Sequence, residues 1–174
     1  MNIVLTGFMA TGKNEISKAI SEISQYNLVD TEDMFVEQEG ITINEIFDKC
    51  GEEYFRKTEC EVIKKAAEMK NVVIATGGGV VLNEQNIENL RKTGVIFNLS
   101  PDFSVIRERL EEARKTRPLL KRDSIENIKK RFDDRKPFYD NCDYKIKVIH
   151  GRTPRSYAME ILEIMESRQG AEKQ

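Results

Sequence analysis

The sequence predicts a three-layer α/β/α fold, in which helices cover both faces of a parallel β-sheet. Apolar runs typical of strands buried on both faces occur at residues 2–6, 72–76 and 94–99, with a shorter candidate at 27–30. Longer stretches with helical periodicity separate these runs. Parallel strands need crossover connections of this kind, so the alternation favours a sheet sandwiched between helices.

Helical periodicity is clearest in the first and last of these stretches. Apolar residues recur at i, i+3, i+4 and i+7 from Ile16 to Ile23 and again from Ala158 to Met165, so each stretch presents one apolar stripe. A further helix is predicted near 52–70. The run 144–149 instead alternates apolar residues with lysines, which predicts an edge strand with one face in solvent.

Capping signals indicate where three helices begin. Ser100 and Thr153 each precede a proline, a residue favoured at the first position of a helix. Asp123 lies three residues before Glu126, which is the spacing of a capping box. The signals predict that a helix begins directly after each of Ser100, Asp123 and Thr153.

The composition favours one domain, which we place at residues 1–168 with a disordered tail at 169–174. The chain has 174 residues, and its 28 basic and 30 acidic side chains leave a net charge of −2. That balance favours neither nucleic acid nor a membrane surface as a partner, and no apolar run is long enough to cross a bilayer. We therefore expect a cytoplasmic monomer that acts on small molecules.

Residues for a zinc site are scarce. Cys50, Cys60 and Cys142 show no C-x-x-C spacing, and His150 is the only histidine in the sequence. A Cys/His zinc cluster is therefore disfavoured. The three thiols are expected to be reduced and structural.

The segment GFMATGKN at residues 7–14 is the first motif with chemical meaning. It matches the P-loop pattern G-x-x-x-x-G-K-[ST] up to its last residue, and it lies between a predicted strand and a predicted helix. In such a loop, backbone N–H groups and a helix N-terminus surround phosphate oxygens, and Lys13 adds a full positive charge. We predict a nucleotide phosphate site; the alternative is a tight turn with a fortuitous lysine.

Asn14 stands where the P-loop pattern has a hydroxyl residue that ligates Mg²⁺. An asparagine offers a neutral carbonyl oxygen one bond further out, beside an NH₂ donor. Direct ligation, ligation through water and impaired metal binding all remain open from the sequence. We favour a metal site that is retained but weakened.

Acidic residues follow the second predicted strand, in LVDTED at residues 28–33. Carboxylates at the C-terminal edge of a parallel sheet face the crevice where ligands bind. Asp30 is therefore a candidate to hold Mg²⁺ through its water shell, and Glu32 to contact an acceptor hydroxyl. The alternative is that these carboxylates cap the following helix.

Three consecutive glycines, Gly77, Gly78 and Gly79, follow the buried run 72–76. Ordering three glycines costs much chain entropy, so we expect them to let a substrate or phosphate lie directly on the backbone. The strand before them ends in Thr76, whereas the corresponding strand of an ordinary P-loop ATPase ends in a metal-binding aspartate. This difference argues against a generic ATPase.

Three arginines stand in motif-like settings, and the planar guanidinium fork suits carboxylates and phosphates. Arg56 lies one helical turn before Glu59, which is placed to orient it. Arg135 lies in DRKPFY. Arg117 lies in KTRPLL, within a charged stretch from which we predict a lid at residues 111–123.

Taken together, these segments resemble the shikimate kinase family. The matching motifs, in chain order from residue 7 to residue 139, are GFMATGKN, DTE, FRKTE, ATGGG, TRPLL and RKPFY. The resemblance implies a P-loop kinase fold with a lid and five parallel strands in the order 2-3-1-4-5. It also implies transfer of the γ-phosphate of ATP, with Mg²⁺, to the 3-hydroxyl of shikimate in chorismate biosynthesis.

The resemblance also implies roles for individual residues. Lys13 would bind the β- and γ-phosphates, and Arg117 would move from the lid to the phosphates. Arg56 and Arg135 would bind the shikimate carboxylate. The residues implied to bind ATP, the adenine contacts by looser alignment, are Gly7, Ala10, Thr11, Gly12, Lys13, Asn14, Arg109, Arg117, Arg152 and Pro154. Those implied to bind shikimate are Glu32, Arg56, Gly77, Gly78, Gly79 and Arg135, and the metal residues are Asn14 and Asp30.

Glu32 departs from the family motif, which has an aspartate there, by one extra methylene. With Lys13 and Arg117 it forms the expected catalytic set, as a carboxylate that accepts the hydroxyl proton. Two alternatives remain: a related kinase for another hydroxy acid such as gluconate, and a nucleotide-binding homologue that has lost catalysis through Asn14 and Glu32. A nucleic-acid-binding module is poorly supported, because aromatic and basic residues are not interleaved.

Overall fold

The computed structural model describes residues 1–116 and 121–171, and this part of the chain forms a five-stranded sheet between helices. The strands are β1 (Asn2–Thr6), β2 (Asn27–Asp30), β3 (Val72–Ala75), β4 (Gly94–Pro101) and β5 (Tyr144–Val148). The α-helices are α1 (Lys13–Ile23), α2 (Thr31–Glu39), α3 (Ile43–Glu68), α4 (Glu84–Thr93), α5 (Phe103–Thr116), α6 (Ile125–Tyr139) and α7 (Pro154–Ala171). A short 3₁₀ helix, Val80–Leu82, follows the glycine triplet.

The strand order is β2-β3-β1-β4-β5, and every pairing is parallel, which confirms the predicted sheet. Ala75 of β3 is in register with Asp30 of β2 on one side and with Leu5 of β1 on the other. The carboxyl ends of these three strands therefore lie side by side. Because ligands bind beyond the carboxyl ends of parallel strands, the P-loop, the acidic segment and the glycine triplet begin at one edge of the sheet.

Alternating residues of the central strand point into two separate cores. Val4 packs in one apolar cluster with residues of α3, α4 and α6, whereas Ile3 and Leu5 pack in another with residues of α1 and α7. Burial on both faces explains the near-continuous apolar runs of the inner strands. On β5 only Ile146 and Val148 are buried, as predicted for an edge strand with one wet face.

The helix start predicted after Thr153 is confirmed by the structure, whereas the one predicted after Ser100 is not. Thr153 does cap α7, since its Oγ1 accepts from the backbone N–H of Ser156 at 3.2 Å. The expectation at Pro101 is wrong, because this residue is still paired with Val148 in the sheet and α5 begins only at Phe103. A proline without a backbone donor is tolerated there at the end of the strand.

The capping box at Asp123 is also corrected. The N-cap of α6 is Ser124, whose hydroxyl accepts from the backbone N–H of Asn127 at 3.1 Å. Asp123 instead pairs with Arg131 at 2.6 Å. The predicted cap was therefore one residue early, and the Asp123 side chain is instead bound by Arg131.

Helix lengths differ from the expectation at two further places. α3 begins at Ile43, and Gly51 interrupts it with a φ of 80°, a conformation that favours glycine. α7 continues through Ala171, so the predicted start of the tail at residue 169 falls inside this helix. None of the helices described in residues 1–116 and 121–171 has the length and apolar character needed to cross a membrane.

Candidate active site

The P-loop encloses the N-terminus of α1. Gly12 is the N-cap of this helix, with a φ of 94°, where a side chain would be strained. Within the described residues, no side chain caps the helix, so its first N–H groups remain available to an incoming ligand. A helix N-terminus with free N–H groups and a positive dipole end is a site for anions such as phosphate.

Lys13 lies folded over this loop. Its Nζ donates hydrogen bonds to the carbonyl oxygens of Gly7 at 2.7 Å and Phe8 at 2.9 Å. Desolvation lowers the pKa of Lys13 to about 8, although the charges of Glu32 and Asp30 oppose the shift. A desolvated ammonium group at the mouth of an anion site gains from an incoming phosphate, because the phosphate supplies the counter-charge.

A cleft of about 620 Å³ opens beside the P-loop. Arg109 forms part of its wall and donates from Nη1 to the carbonyl of Ala10 at 2.9 Å, while the Arg152 guanidinium lies 4.2 Å from the centre of the Tyr157 ring. The volume is that of a small-molecule pocket. The predicted adenine residues Arg109, Arg152 and Pro154 all line this cleft. Ala10, Thr11 and Gly12 of the P-loop line it as well.

The glycine triplet lies against Arg56. A Cβ atom at Gly79 would come within 2.6 Å of Nη2 and 2.8 Å of Cζ of this arginine, so the guanidinium requires glycine there. Arg56 Nη1 pairs with Glu59 Oε2 at 2.8 Å, and the Glu59 side chain is only 8% exposed. Desolvation raises the pKa of Glu59, whereas the hydrogen bond and charge of Arg56 lower it.

Gly78 lies between the P-loop and Arg135. A Cβ atom on Gly78 would lie 3.7 Å from both the Gly7 carbonyl oxygen and the Met9 amide nitrogen, and 4.0 Å from Nη1 of Arg135. The Arg135 guanidinium lies 6.0 Å from the centre of the Phe8 ring, which belongs to the P-loop. The P-loop and Arg135 therefore lie on either side of Gly78.

Glu32 reaches the same glycines from α2. Its Oε1 lies 3.2 Å from the Cβ position of Gly77, and Glu59 Oε1 lies 3.6 Å from the same point. Desolvation in the cleft and the charge of Asp30 raise the pKa of Glu32, whereas Lys13 lowers it. The Glu32 carboxylate thus lies between Lys13 of the P-loop and Gly77.

Asp30 caps α2, as the alternative interpretation of the acidic segment expected. Its Oδ1 accepts from the backbone N–H groups of Glu32 at 2.8 Å and Asp33 at 3.4 Å. Both bonds use one oxygen of the carboxylate. The cap fixes where this side chain stands and is compatible with a second role for Oδ2.

Asn14 and Asp30 line a second cleft of about 500 Å³ along α1 and α2. One carboxylate and one amide oxygen suit Mg²⁺, which usually takes one or two protein ligands and completes its shell with water and phosphate oxygens. Across residues 1–116 and 121–171, no group of three or more His, Cys, Asp or Glu side chains is placed to hold a metal. The donors fit a metal that is bound jointly with a phosphorylated ligand.

Two contacts at the glycine triplet were not predicted from the sequence. The Thr31 hydroxyl accepts from Gly77 N–H at 3.3 Å, and the Tyr139 hydroxyl donates to the Gly78 carbonyl at 2.6 Å. The available signal for the second was the position of Tyr139 four residues after Arg135 in DRKPFY. Arg117 and the centre of the predicted lid lie outside the described residues, while residues 111–116 form the end of α5.

Comparisons with known proteins agree on one family. The shikimate kinase family model matches residues 9–166. A shikimate kinase of Caldicellulosiruptor bescii is 47% identical over 146 residues, which cover 83% of this chain and 84% of the relative; one of Thermodesulfovibrio yellowstonii is 42% identical over 166 residues, 95% of each chain. The solved structure of an Acinetobacter baumannii shikimate kinase in complex with shikimate matches with a TM-score of 0.86 at 30% identity, covering 96% of this chain and 93% of the other.

Proposed function

The chain belongs to the shikimate kinase family, and from this premise we propose that it transfers the γ-phosphate of ATP to the 3-hydroxyl of shikimate. The observation that carries the proposal is the position of Gly78: a Cβ atom built on this residue would lie 3.7 Å from Gly7 O and Met9 N of the P-loop and 4.0 Å from Arg135 Nη1. Phosphoryl transfer needs donor and acceptor in one cleft and in line, with few other demands on the protein. The contact at Gly78 supports that arrangement.

ATP binds with its phosphates in the P-loop and its adenine in the 620 Å³ cleft. The N-terminus of α1 and Lys13 neutralise the β- and γ-phosphates, so charge that builds up during transfer meets groups already in place. Arg109, Arg152 and Pro154 flank the base. Arg117, which lies outside the described residues, is proposed to bind the phosphates and to help exclude water, which would otherwise compete as acceptor.

Shikimate binds on the glycine triplet, with its carboxylate between Arg56 and Arg135. The 2.8 Å pair with Glu59 holds Arg56 ready before substrate arrives, so less ordering is needed on binding. The hydroxyl that is phosphorylated points to the P-loop, and Glu32 accepts its proton. The raised pKa of Glu32 strengthens it as a base, provided that it remains ionised beside Lys13.

Glu32→Gln is expected to lower kcat by about 10²-fold, the lower end of the range for general-base catalysis, because transfer of a loosely bonded phosphoryl group needs the proton removed late. The measurement is the rate of ADP release at saturating ATP and shikimate. Glu39→Gln, at the other end of α2, is the control. A Glu32→Gln enzyme with kcat within twofold of the wild type would show that the proton goes elsewhere.

Magnesium is the one cofactor that we propose, held by the Asn14 amide oxygen and by Asp30 beside the phosphates. When bound, it neutralises charge on the β- and γ-phosphate oxygens. The support is the shared cleft of Asn14 and Asp30 and the oxygen chemistry of both side chains. Because the amide oxygen stands one bond further out than the usual hydroxyl and beside an NH₂ donor, we propose that the site is weakened.

Asn14→Thr should therefore lower the Mg²⁺ concentration needed for half-maximal activity, by roughly tenfold if the change acts as other changes around metal ligands do. Activity is titrated with Mg²⁺ at a fixed total concentration of ATP. The KM for shikimate serves as the internal control and should not move. An unchanged or higher Mg²⁺ requirement would contradict the weakened site.

A coupled assay of ADP release across candidate acceptors tests the proposed function. Shikimate is expected to be the preferred acceptor, since two arginines and three glycines match a cyclic carboxylate with hydroxyls. Faster release with gluconate would replace shikimate by another hydroxy acid. ATP binding in a calorimeter, combined with no shikimate phosphorylation at any Mg²⁺ or Mn²⁺ concentration, would instead identify a homologue without catalysis.

We also propose that the enzyme works as a monomer in the cytoplasm. All residues assigned to the two substrates come from one chain, so an active site needs no second copy. The free cysteines Cys50, Cys60 and Cys142 are compatible with a reducing compartment. Sedimentation of the active enzyme checks the first point.

A further inference from the structure

Tyr139 is a buried tyrosine at the end of α6, one helical turn after Arg135. Only 6% of its surface is exposed, and its ring packs in the same apolar cluster as Phe8 and Phe132. Residues four apart on a helix share a face, so Arg135 and Tyr139 both face the glycine triplet. The Tyr139 hydroxyl donates to the carbonyl oxygen of Gly78 at 2.6 Å.

The Tyr139 hydroxyl donates to the Gly78 carbonyl, whereas backbone N–H groups donate to the carbonyls of the two neighbouring glycines. The carbonyl oxygen of Gly77 accepts from Val80 N–H at 3.2 Å, and that of Gly79 accepts from Leu82 N–H at 3.1 Å. Those two bonds belong to the 3₁₀ turn that follows the triplet. The Gly78 carbonyl, between them, is bound by a side chain from an element 61 residues away. The middle peptide of the triplet is therefore anchored to α6.

The charges around the phenol favour a donating hydroxyl. Burial raises the pKa of Tyr139, and the positive charges of Arg135 and Arg56 oppose that shift. A neutral phenol donates its one O–H to Gly78 and keeps lone pairs toward the arginines. A glycine segment has no side chains to restrain its peptides. A hydrogen bond from another part of the chain therefore limits the range of backbone conformations that the segment adopts.

We propose that Tyr139 is a positioning residue for the acceptor. By fixing the Gly78 peptide, its hydroxyl holds the acceptor-binding glycines in a defined position relative to Arg135 and the P-loop. Gly78 is the glycine that lies beside both the P-loop and Arg135: a Cβ atom built on it would be 3.7 Å from Gly7 O and Met9 N and 4.0 Å from Arg135 Nη1. The inference rests on the proposed function, because the acceptor is taken to be shikimate.

Tyr139→Phe removes the hydroxyl and keeps the ring in the core. The Kd for shikimate in a calorimeter and the KM for shikimate are expected to rise about tenfold, as for loss of one hydrogen bond to a group left without a donor, with a KM for ATP within twofold of the wild type. Tyr26→Phe is the matched control. Its half-buried hydroxyl, near Gln169, lies away from the cleft, and its loss should move neither constant.

A role in folding alone would give a different result. It would lower Tm and the active fraction while leaving the shikimate Kd and KM at their wild-type values, and that outcome overturns the proposal, as does an equal rise in both KM values. Because a partly unfolded population raises the apparent Kd, both constants are measured at a temperature where the wild type and the variant are fully folded. Failure of the proposed function would appear in the wild type, as ADP release that shikimate does not stimulate.

Discussion

Replacing Lys13 by methionine is expected to lower kcat/KM for ATP by about 10³-fold, the effect of removing a group aimed at transition-state charge. Lys13 Nζ lies on the P-loop carbonyls of Gly7 and Phe8, and in the proposed complex it moves to the β- and γ-phosphates. A methionine stem keeps the packing of the lysine stem, and relief of the desolvated ammonium opposes the loss of these two hydrogen bonds. Tm should therefore change little, measured alongside ADP release.

The pH dependence of the wild type gives a second readout of the same lysine. With a pKa of about 8 in the free enzyme, Lys13 loses its proton above that pH, so kcat/KM for ATP should fall there. A bound triphosphate raises the pKa of Lys13, so kcat at saturating ATP should persist to higher pH. Lys49→Met, at an exposed site, is the control and should keep the profile. The same fall in the Lys13→Met enzyme would assign it to another group.

Arg56→Ala is expected to lower kcat/KM for shikimate by about 10²- to 10³-fold and to leave the KM for ATP unchanged. A loss of this size is typical of truncating one member of a buried, hydrogen-bonded charge pair. Two losses combine: the guanidinium fork for the substrate carboxylate, and the partner of Glu59, whose side chain is 8% exposed. Initial-rate kinetics with each substrate varied in turn separate the two KM values.

A double variant separates catalysis from stability in this prediction. Arg56→Ala alone leaves a desolvated carboxyl at Glu59 and should lower Tm, whereas Arg56→Ala with Glu59→Gln should recover most of the Tm. The shikimate KM should stay high in both. Recovery of the wild-type KM in the double variant would show that Arg56 acts only by neutralising Glu59.

Local sequence patterns were sufficient to predict the sheet. β1, β3 and β4 are covered on both faces, so their runs are nearly continuously apolar, and β5 alternates because one face is wet. Such patterns depend only on which side chains are buried, and burial of apolar surface is the main driving force of folding. The order of the strands came from the resemblance to a family and from no pattern within a strand.

Contacts between distant segments are the part that the sequence could not supply. The bond from Tyr139 to Gly78 joins a helix end to a loop 61 residues earlier, and a tyrosine in an apolar cluster gives no sign of where its hydroxyl points. Asp123 and Ser124 illustrate the same limit at short range. Either side chain is a good N-cap, and only the pairing of Asp123 with Arg131, eight residues further along the chain, shows which one is diverted.

The departures from the family motif are partly explained by geometry. The longer side chain of Glu32 brings its carboxylate to 3.2 Å from the Cβ position of Gly77, so the extra methylene is accommodated over a residue that has no side chain. Asn14 lies in the cleft that also contains Asp30. Both residues thus keep oxygen atoms at the edge of the sheet where the family motif has them.

The most direct test is a crystal structure of this enzyme with a non-hydrolysable ATP analogue, Mg²⁺ and shikimate. We expect the shikimate carboxylate to lie between Arg56 and Arg135, and the 3-hydroxyl to point across Gly78 at the γ-phosphate held by Lys13, close enough for direct transfer. Shikimate bound away from the two arginines, or separated from the γ-phosphate by more than a hydroxyl can bridge, would contradict a shared cleft for the two substrates.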